Sequence, residues 1–259
     1  MLLTGKNAVI TGGGTGIGLA IARKLAAEGC NVAITGRRLD VLEQAADSFG
    51  GYAVKMDVAN EASVVTGMQS IADHFGSIDI CIANAGIAEG QNIRNSSFDF
   101  WRKIMAINLD GAYLTIRESL RHMPVKDWGR VLAVSSIAGV RGLKGAHAYS
   151  ASKHGVIGMI RALSADHAKL PITFNAICPG YVDTDIIERN TQSISERAHI
   201  RRFRLSGSGE NGWKNLGEAP ARVFSEGFRA PRGADDKRPQ KRIARHARGA
   251  HSLFYALCA

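Results

Sequence analysis

The stretch TGGGTGIG, residues Thr11–Gly18, decides how the chain begins to fold. It follows a short run of strand-like composition, Asn7–Ile10, and it precedes a stretch in which an apolar residue recurs every four positions. Gly12, Gly16 and Gly18 have the spacing TGxxxGxG, which permits a tight turn and lets backbone N–H groups approach a pyrophosphate. At a helix N-terminus the unbonded N–H groups and the helix dipole favour negative charge. The stretch therefore predicts a strand, a phosphate-binding turn and a helix.

Beyond this turn, short β-branched or apolar runs alternate with amphipathic stretches up to about residue 195. The predicted strands are Asn7–Ile10, Asn31–Thr35, Tyr52–Met56, Ile78–Ile82, Arg130–Val134 and Ile172–Ile177. The predicted helical stretches are Ile17–Leu25, Leu39–Phe49, Ala62–Phe75, Phe98–Met123 and Ala148–Leu170. Such alternation is typical of βαβ units. We therefore predict an α/β protein with a doubly wound parallel sheet and helices on both faces.

Length and composition narrow the class of protein. The 259 residues suit one large α/β domain, and 45% of them are hydrophobic, which argues against disorder. No run approaches the roughly 18 apolar residues that a membrane-spanning helix needs. The first strand begins too close to Met1 for a signal peptide to precede it. The four cysteines are scattered, without a CxxC pair, so we expect reduced thiols, a cytoplasmic location and no membrane partner.

The net charge of +10 is not spread evenly along the chain. Residues 1–195 carry a net charge of +2, whereas residues 196–259 carry +8. A nucleic-acid-binding tail is one interpretation of this charge. The tail lacks interleaved aromatic residues and any named binding motif, so we expect no nucleic-acid partner. Its segment Pro231–Arg248 is nearly free of large apolar residues, so we expect much of the tail to be poorly ordered.

Further motifs follow the predicted strands in order. They are Asp57-Val58 after the third strand, Asn84-Ala85-Gly86 after the fourth, Asn108 in the fourth long helical stretch, Ser136 after the fifth strand, Tyr149 and Lys153 as YxxxK, and Pro179-Gly180 with Thr184 as PGxxxT after the sixth. Ser136 precedes Tyr149 by 13 residues. A lone YxxxK is usually a solvated helix face, but here it stands in register with the other motifs. The set as a whole is specific.

Together with the glycine turn, these motifs resemble the short-chain dehydrogenase/reductase family over about residues 4–195. The resemblance implies a Rossmann-type dinucleotide-binding and catalytic domain that acts on a small-molecule carbonyl or alcohol. It also implies a homo-oligomer assembled through the two long helical stretches. The segment Asn175–Thr184 is similar to bacterial hydroxyacid and 3-oxoacyl reductases, although this likeness does not fix a substrate.

The resemblance also assigns roles to individual residues. Asp57 would contact the adenine ring, Lys153 the nicotinamide ribose, and Asn108 would anchor a water of a proton relay through its backbone. A structural role for Asn108 at a helix kink is the alternative. The candidate cofactor-binding residues are Gly12, Thr15, Gly16, Ile17, Gly18, Arg37, Asp57, Val58, Asn84, Ala85, Gly86, Tyr149, Lys153, Pro179, Gly180, Val182 and Thr184. The candidate catalytic residues are Asn108, Ser136, Tyr149 and Lys153.

The chemistry of the catalytic candidates follows from their residue types. Tyr149 and Lys153 are four residues apart on a predicted helix, so their side chains share one face. Free tyrosine has a pKa of about 10, and lowering it by about 3 requires roughly 4 kcal/mol of preferential stabilisation of the phenolate. We expect the ammonium of Lys153 to supply part of this, and the positive charge of a bound nicotinamide to add to it. Tyr149 would act as general acid or base, while Ser136 would hold the substrate oxygen.

Cofactor choice depends on the end of the second strand. Selectivity for NAD is usually set by an acidic residue about 20 positions beyond the glycine turn, where it binds the ribose 2′-OH. Here Gly36 occupies that place and Arg37 follows. A guanidinium can bind a 2′-phosphate through charge-assisted hydrogen bonds. We therefore predict NADP(H) rather than NAD(H). His147 and His154 flank the Tyr–Lys pair without a third ligand at zinc-like spacing, so we expect no metal site.

The resemblance stops near residue 200. The helices and the closing seventh strand expected of the family are not recognisable in residues 196–259, whose Arg, Ala, Gly and Pro content is typical of a GC-rich coding region read in a shifted frame. A frameshift near residues 196–201 is one interpretation, and a divergent extension is the other. Without a seventh strand, Ile172–Ile177 would become an exposed edge. The alternative function is then a catalytically silent nucleotide-binding product.

Overall fold

The structure is a computed structural model that describes residues 1, 3–124, 127–180 and 222–225. Within these residues seven strands form one sheet in the order β3-β2-β1-β4-β5-β6-β7. The strands are β1 Asn7–Thr11, β2 Asn31–Gly36, β3 Tyr52–Lys55, β4 Ile80–Ala83, β5 Gly129–Val134, β6 Ile172–Cys178 and β7 Arg222–Ser225. The first six run parallel, so the predicted doubly wound parallel sheet is confirmed.

Helices connect these strands, as the apolar periodicity predicts. They are α1 Gly16–Ala27, α2 Leu39–Asp47, α3 Glu61–Phe75, α4 Phe98–Met105, α5 Gly111–Arg121 and α6 His147–Asp166. The predicted long stretch Phe98–Met123 is thus two helices joined by a π-helical turn, Ala106–Asp110. Short 3₁₀ turns occur at Ile93–Asn95 and Ile137–Gly139.

The core lies in two layers, one on each face of the sheet. The layer formed with α1 and α2 contains Ile21, Leu25 and Leu42, whose helical spacing the sequence shows. The opposite layer is built by buried side chains from three helices: Val64, Met68 and Ile71 of α3, Ile116 of α5, and Val156, Ile157 and Ile160 of α6. Because both faces are covered, the central strands are continuous apolar runs.

The strand order reverses at β1, and this reversal places the site. β1 pairs with β2 on one side and with β4 on the other, all in parallel. In open α/β sheets, ligands bind in the crevice beyond the carboxyl ends of the strands at such a reversal. The residues that follow β1 and β4, the glycine turn and Asn84-Ala85-Gly86, therefore stand at the two sides of this crevice.

The predicted exposed edge at Ile172–Ile177 is wrong. Arg222–Ser225 pairs antiparallel with β6, from Asn175 opposite Ser225 to Cys178 opposite Arg222. From the sequence, Val223–Phe224 is only an isolated apolar pair, because a run of four residues is too short to establish a period. The predictions for the rest of residues 196–259 lie outside the described residues. No helix in the described ranges has the length and apolar character needed to cross a bilayer.

Candidate active site

The glycine turn is tied to β4 by the side chain of Asn84. Its Nδ2 donates hydrogen bonds to the carbonyl oxygens of Thr11, at 2.9 Å, and Gly12, at 3.2 Å. In return, the Thr11 hydroxyl oxygen accepts from the N–H groups of Asn84 and Ala85, both at 3.0 Å. These four bonds join the carboxyl ends of β1 and β4. They fix the two sides of the crevice relative to each other.

The N-terminus of α1 is prepared for an anion. Its N-cap residue, Thr15, makes no side-chain hydrogen bond to the helix, and the first turn carries no acidic residue. In contrast, α3 is capped by Asn60, whose side chain accepts from the Ser63 N–H at 2.9 Å. Its first turn also carries an acidic residue, Glu61. The first backbone N–H groups of a helix have no acceptor within the helix and must bond elsewhere. In α1, that acceptor can be a phosphate.

The glycines of the turn leave no room for side chains. A Cβ on Gly18 would lie 2.6 Å from the Asn84 Nδ2 and would collide with the carbonyl oxygen of Gly12. Gly12 has φ +64° and Gly16 has φ +54°, a region that favours glycine. The turn, which we call the glycine cradle, therefore needs glycine at Gly12, Gly16 and Gly18. It fits the close approach of a dinucleotide pyrophosphate to the backbone.

The adenosine-side candidates lie after β2 and β3. Arg37 is exposed and directly follows β2. The backbone N–H of Asp57 donates to the Ser63 hydroxyl at 3.0 Å, and its carboxylate accepts from the Ala59 N–H at 3.0 Å. Val58 is buried against α5, because a Cβ on Gly111 would lie 2.8 Å from its Cγ2. The structure thus holds Asp57 and Val58 firmly and leaves Arg37 accessible.

Ser136, Tyr149 and Lys153 come together at the carboxyl end of β5. The Ser136 side chain lies beside the Tyr149 phenol and lowers its pKa, and the Ser136 hydroxyl oxygen accepts from the Ala138 N–H at 3.1 Å. Lys153 is buried, with its Nζ 5.9 Å from the centroid of the Tyr149 ring. This Nζ donates to the carbonyl oxygen of Val134, the last residue of β5, at 2.8 Å. The predicted catalytic triad of side chains is therefore assembled in one place.

The pKa values of Tyr149 and Lys153 are set mainly by burial. Burial raises the pKa of the phenol above its ordinary value, and the hydrogen bond with Ser136 opposes this only in part. Burial also lowers the pKa of Lys153 to about 8, against the opposing influence of Cys178. Among the chain's own groups, desolvation of the phenolate dominates. The lowering expected from Lys153 together with a bound nicotinamide stays a prediction.

Asn108 lies in the π-helical turn and is 1% exposed. Its Oδ1 accepts from the Ile87 N–H at 2.8 Å, and its Nδ2 donates to the Ile87 carbonyl oxygen at 2.9 Å. The same Nδ2 donates to the Ser152 hydroxyl oxygen at 3.2 Å. The side chain thus holds the segment after Gly86 and serves a structural role at a helix irregularity. The relay through its backbone stays a prediction.

The remaining candidates surround this group. A Cβ on Gly86 would lie 3.4 Å from the Lys153 Nζ, so the Asn84-Ala85-Gly86 motif reaches the side chain of Lys153. The Pro179 carbonyl oxygen accepts from the Ile137 N–H at 2.8 Å, which holds Pro179-Gly180 against the segment after Ser136. Ile17 is partly buried in the first turn of α1. Val182 and Thr184 lie outside the described residues.

The two histidines near the catalytic pair have local partners. His147 Nε2 lies 3.2 Å from the Ser96 hydroxyl, and its ring stacks on Trp101 at an interplanar angle of 8°. His154 is exposed, with Nδ1 2.9 Å from the Ser150 carbonyl oxygen. The first contact joins α6 to the loop before α4, whereas the second lies within α6, and neither involves an acidic side chain.

Two hydroxyls that build the site have no role predicted from the sequence. Thr11 accepts both N–H groups that fix Asn84-Ala85, and Ser135 donates to the Lys153 carbonyl oxygen at 2.9 Å. A signal was present for each of them. Thr11 is the polar residue that ends an apolar strand, and Ser135 is the first of two serines at such an end.

Comparison with known proteins agrees with this geometry. The family model "short chain dehydrogenase" matches residues 6–195. The D-beta-hydroxybutyrate dehydrogenase of Rhizobium meliloti (strain 1021) is 34% identical over 215 residues, which cover 78% of this chain and 83% of that protein. The 3-oxoacyl-[acyl-carrier-protein] reductase FabG of Aquifex aeolicus (strain VF5) is 35% identical, covering 78% and 85%. The chain belongs to the short chain dehydrogenase family.

Solved structures show the same fold. An actinorhodin polyketide ketoreductase variant crystallised with NADPH superposes with a TM-score of 0.70 at 28% identity, covering 74% of this chain and 76% of that one. Levodione reductase gives the same TM-score at 29% identity, covering 75% and 78%. The predicted family and Rossmann-type fold are confirmed. The protein is an NAD(P)-dependent oxidoreductase, as its family and its dinucleotide cradle indicate.

Proposed function

We propose that the protein interconverts a carbonyl and a secondary alcohol with NADP(H), and that Tyr149 is the general acid and base. The observation that carries the proposal is the convergence of three side chains: Ser136 acts on the Tyr149 phenol by lowering its pKa, and the Lys153 Nζ lies 5.9 Å from the centroid of the tyrosine ring. This group stands at the same edge of the sheet as the glycine cradle. A substrate oxygen held by Ser136 would be within reach of the phenolic proton.

Each side chain would have a separate task in the reaction. When bound, the nicotinamide supplies or accepts the hydride. Ser136 donates a hydrogen bond to the substrate oxygen and orients it. Tyr149 gives its phenolic proton to that oxygen during reduction and takes it back during oxidation. Lys153 keeps a buried positive charge near the phenol and, with a pKa of about 8, is largely protonated at neutral pH. Asn108 keeps the neighbouring backbone in place, and a relay through its own backbone is part of the proposal.

The substitution Tyr149→Phe tests whether Tyr149 is the proton donor. This variant should bind NADPH nearly as tightly as the wild type and should lose turnover on a panel of carbonyl substrates, because only the proton donor is removed. Tyr113→Phe is the matched control, since Tyr113 is 48% exposed on α5. Full activity of Tyr149→Phe would overturn the mechanism. Binding of NADPH by a wild type that turns over no substrate would favour a catalytically silent product.

The preference for NADP(H) rests on Arg37. Its guanidinium is exposed at the end of β2, and Gly36 before it provides no carboxylate to repel a 2′-phosphate. The double variant Gly36→Asp with Arg37→Ala should bind NADPH more weakly and NADH as tightly as the wild type does. Arg23→Ala, which removes an exposed guanidinium from α1 that bonds Ser48, is the control. Unchanged affinities in fluorescence titration would contradict the proposed role of Arg37.

We further propose that two copies associate through the long helical stretches. Phe98 at the start of α4 is 72% exposed and Tyr113 on α5 is 48% exposed, so both leave apolar area available for burial. Tyr113→Glu should then lower the mass measured by light scattering on a sizing column. An unchanged mass would exclude this face as the interface.

A reducing compartment is part of the same proposal. Cys30, Cys81 and Cys178 are free and buried. Burial raises the pKa of the Cys30 and Cys81 thiols to about 12, which keeps them protonated and unreactive. We therefore place the protein in the cytoplasm, where thiols stay reduced.

A further inference from the structure

Two buried side chains outside the catalytic group meet behind the turn of α6 that carries Lys153. Ser135 follows β5 and is 4% exposed, while Cys178 ends β6 and is 2% exposed. The Ser135 hydroxyl donates to the Lys153 carbonyl oxygen at 2.9 Å, and its N–H donates to the Ile177 carbonyl oxygen at 2.8 Å. The Cys178 thiol lies beside the Ser135 side chain and the Ser136 backbone, both of which lower its pKa against the effect of burial. The ends of β5, β6 and α6 are thus joined at one point.

The protons of this group can be assigned by counting donors. A serine hydroxyl has one proton, and Ser135 gives it to the Lys153 carbonyl oxygen. Burial raises the pKa of the Cys178 thiol, so the thiol keeps its proton at neutral pH. The hydrogen bond to the Lys153 backbone is therefore made by Ser135, and Cys178 lies beside it as a neutral thiol.

The packing around this hydrogen bond leaves it little freedom. A Cβ on Gly139 would lie 2.8 Å from the Lys153 carbonyl oxygen and would collide with the Ser135 hydroxyl. The segment after Ser136 therefore passes directly over the hydrogen bond. Among the described residues, Lys153 and Arg161 are the charged groups whose fields act on the thiol. Displacing Ser135 would move the backbone carbonyl of Lys153. The ammonium of the same residue lies beside Tyr149.

We propose that Ser135 and Cys178 are positioning residues, which hold the backbone of Lys153 so that its ammonium stays on the Val134 carbonyl and beside Tyr149. The proposal rests on the function proposed above. Its physical basis is that the Lys153 Nζ is fixed at one end by the 2.8 Å bond to Val134, while its backbone is fixed at the other by Ser135. When the backbone shifts, the ammonium leaves its place beside the phenol and Tyr149 holds its proton more tightly.

The chain supplies a matched control for this proposal. Cys81 in β4 and Ser119 in α5 form a second buried cysteine–serine pair, both with an exposure of 0%. Burial likewise raises the pKa of the Cys81 thiol, and its side chain hydrogen-bonds Ser119. Ser119 also lies 3.8 Å from the Met68 sulfur. This pair joins a strand to a helix as the first pair does, but it contacts none of the proposed catalytic residues.

The experiment compares Ser135→Ala and Cys178→Ala with Ser119→Ala and Cys81→Ala. The first two should lower kcat about tenfold with KM little changed, which is the size expected for losing one buried hydrogen bond. They should also move the pH midpoint of alcohol oxidation upward by about half a pH unit. Cys178→Ser keeps a donor and should restore the wild-type midpoint. Ser119→Ala and Cys81→Ala should leave the midpoint in place, whatever they do to the unfolding temperature.

A second readout separates this proposal from the proposed function. Difference absorbance of tyrosinate, with the signal of the corresponding Tyr149→Phe double variant subtracted, gives the titration of Tyr149 without any substrate. If the wild type has no turnover, the proposed function fails, and this titration still decides the positioning role. A higher pH midpoint of the Tyr149 titration in Ser135→Ala or in Cys178→Ala supports the positioning role. Either variant suffices if the other does not fold. An unmoved midpoint in both, or an equal change in the control pair, overturns it.

Discussion

Replacing Gly18 with alanine tests the cradle quantitatively. Gly18 lies in the first turn of α1, and an added Cβ would collide with the Gly12 carbonyl oxygen and lie 2.6 Å from the Asn84 Nδ2. Neither neighbour is the free end of a flexible side chain, because Asn84 makes bonds of 2.9 and 3.2 Å to the turn. The methyl group therefore has to move the strand end or break these bonds.

The expected magnitude follows from opposing contributions. Alanine in place of glycine favours a helix by about 1 kcal/mol. Overpacking costs about 1–3 kcal/mol, and each weakened hydrogen bond of Asn84 costs about 1 kcal/mol. The free energy of unfolding of Gly18→Ala should therefore be about 2 kcal/mol lower than that of the wild type. Gly158→Ala is the matched control, since Gly158 lies in α6 with nothing within 4 Å of its Cβ position, so the same change should stabilise the protein by up to about 1 kcal/mol.

Thermal unfolding followed by circular dichroism measures this difference. For a domain of this size, about 1 kcal/mol corresponds to roughly 2–4 °C in Tm. The two variants should therefore differ by roughly 6–12 °C, with Gly18→Ala the lower. NADPH should raise the Tm of Gly158→Ala as it does that of the wild type, and should raise that of Gly18→Ala less. Equal Tm values and equal stabilisation by NADPH would refute the close packing of the turn.

Two further variants test the buried polar groups. The Thr35 hydroxyl is buried without a hydrogen-bond partner among the described residues, so Thr35→Val should leave stability in urea unchanged or raise it by about 1 kcal/mol, and a loss above about 1 kcal/mol would reveal a missed partner. Lys153→Met should raise stability at neutral pH by up to about 3 kcal/mol, because the buried ammonium has its pKa lowered to about 8. The unfolded chain binds this proton up to a higher pH than the folded chain, so the wild type gains stability as the pH rises from about 8 towards 10 and the difference should shrink there. A difference independent of pH in unfolding experiments would contradict the burial of a charged Lys153.

The sequence predicts the sheet and its helices because their signals are local. Ile21 and Leu25 lie on one face of α1, and the apolar strands β1, β2 and β4 need both faces covered. Spacing also suffices for the catalytic group, since Tyr149 and Lys153 share a helix face wherever α6 lies. The antiparallel strand Arg222–Ser225 could not be predicted, because its four residues pair with a strand far away in the sequence.

Details of the site depend on contacts between residues far apart in the sequence, and local sequence patterns do not predict such contacts. The direction of the Tyr149 pKa is set by how deeply α6 is buried, which no spacing reveals. The π-helical turn around Asn108 results from its bonds to Ile87, 21 residues earlier. Ser135 likewise meets Lys153 only because β5 and α6 pack together. In each case the residue type was visible and its partner was not.

Transfer of an isotope label from NADPH to the product tests the proposed reaction. NADPH with both hydrogens at the nicotinamide C4 replaced by deuterium would be incubated with the wild type and a panel of carbonyl compounds, and the products examined by mass spectrometry. We expect an alcohol that carries one deuterium on its carbinol carbon, formed by the wild type and by Tyr113→Phe but not by Tyr149→Phe. Bound NADPH with no labelled alcohol from the wild type, or labelled alcohol from Tyr149→Phe at the wild-type rate, would contradict the proposed reaction.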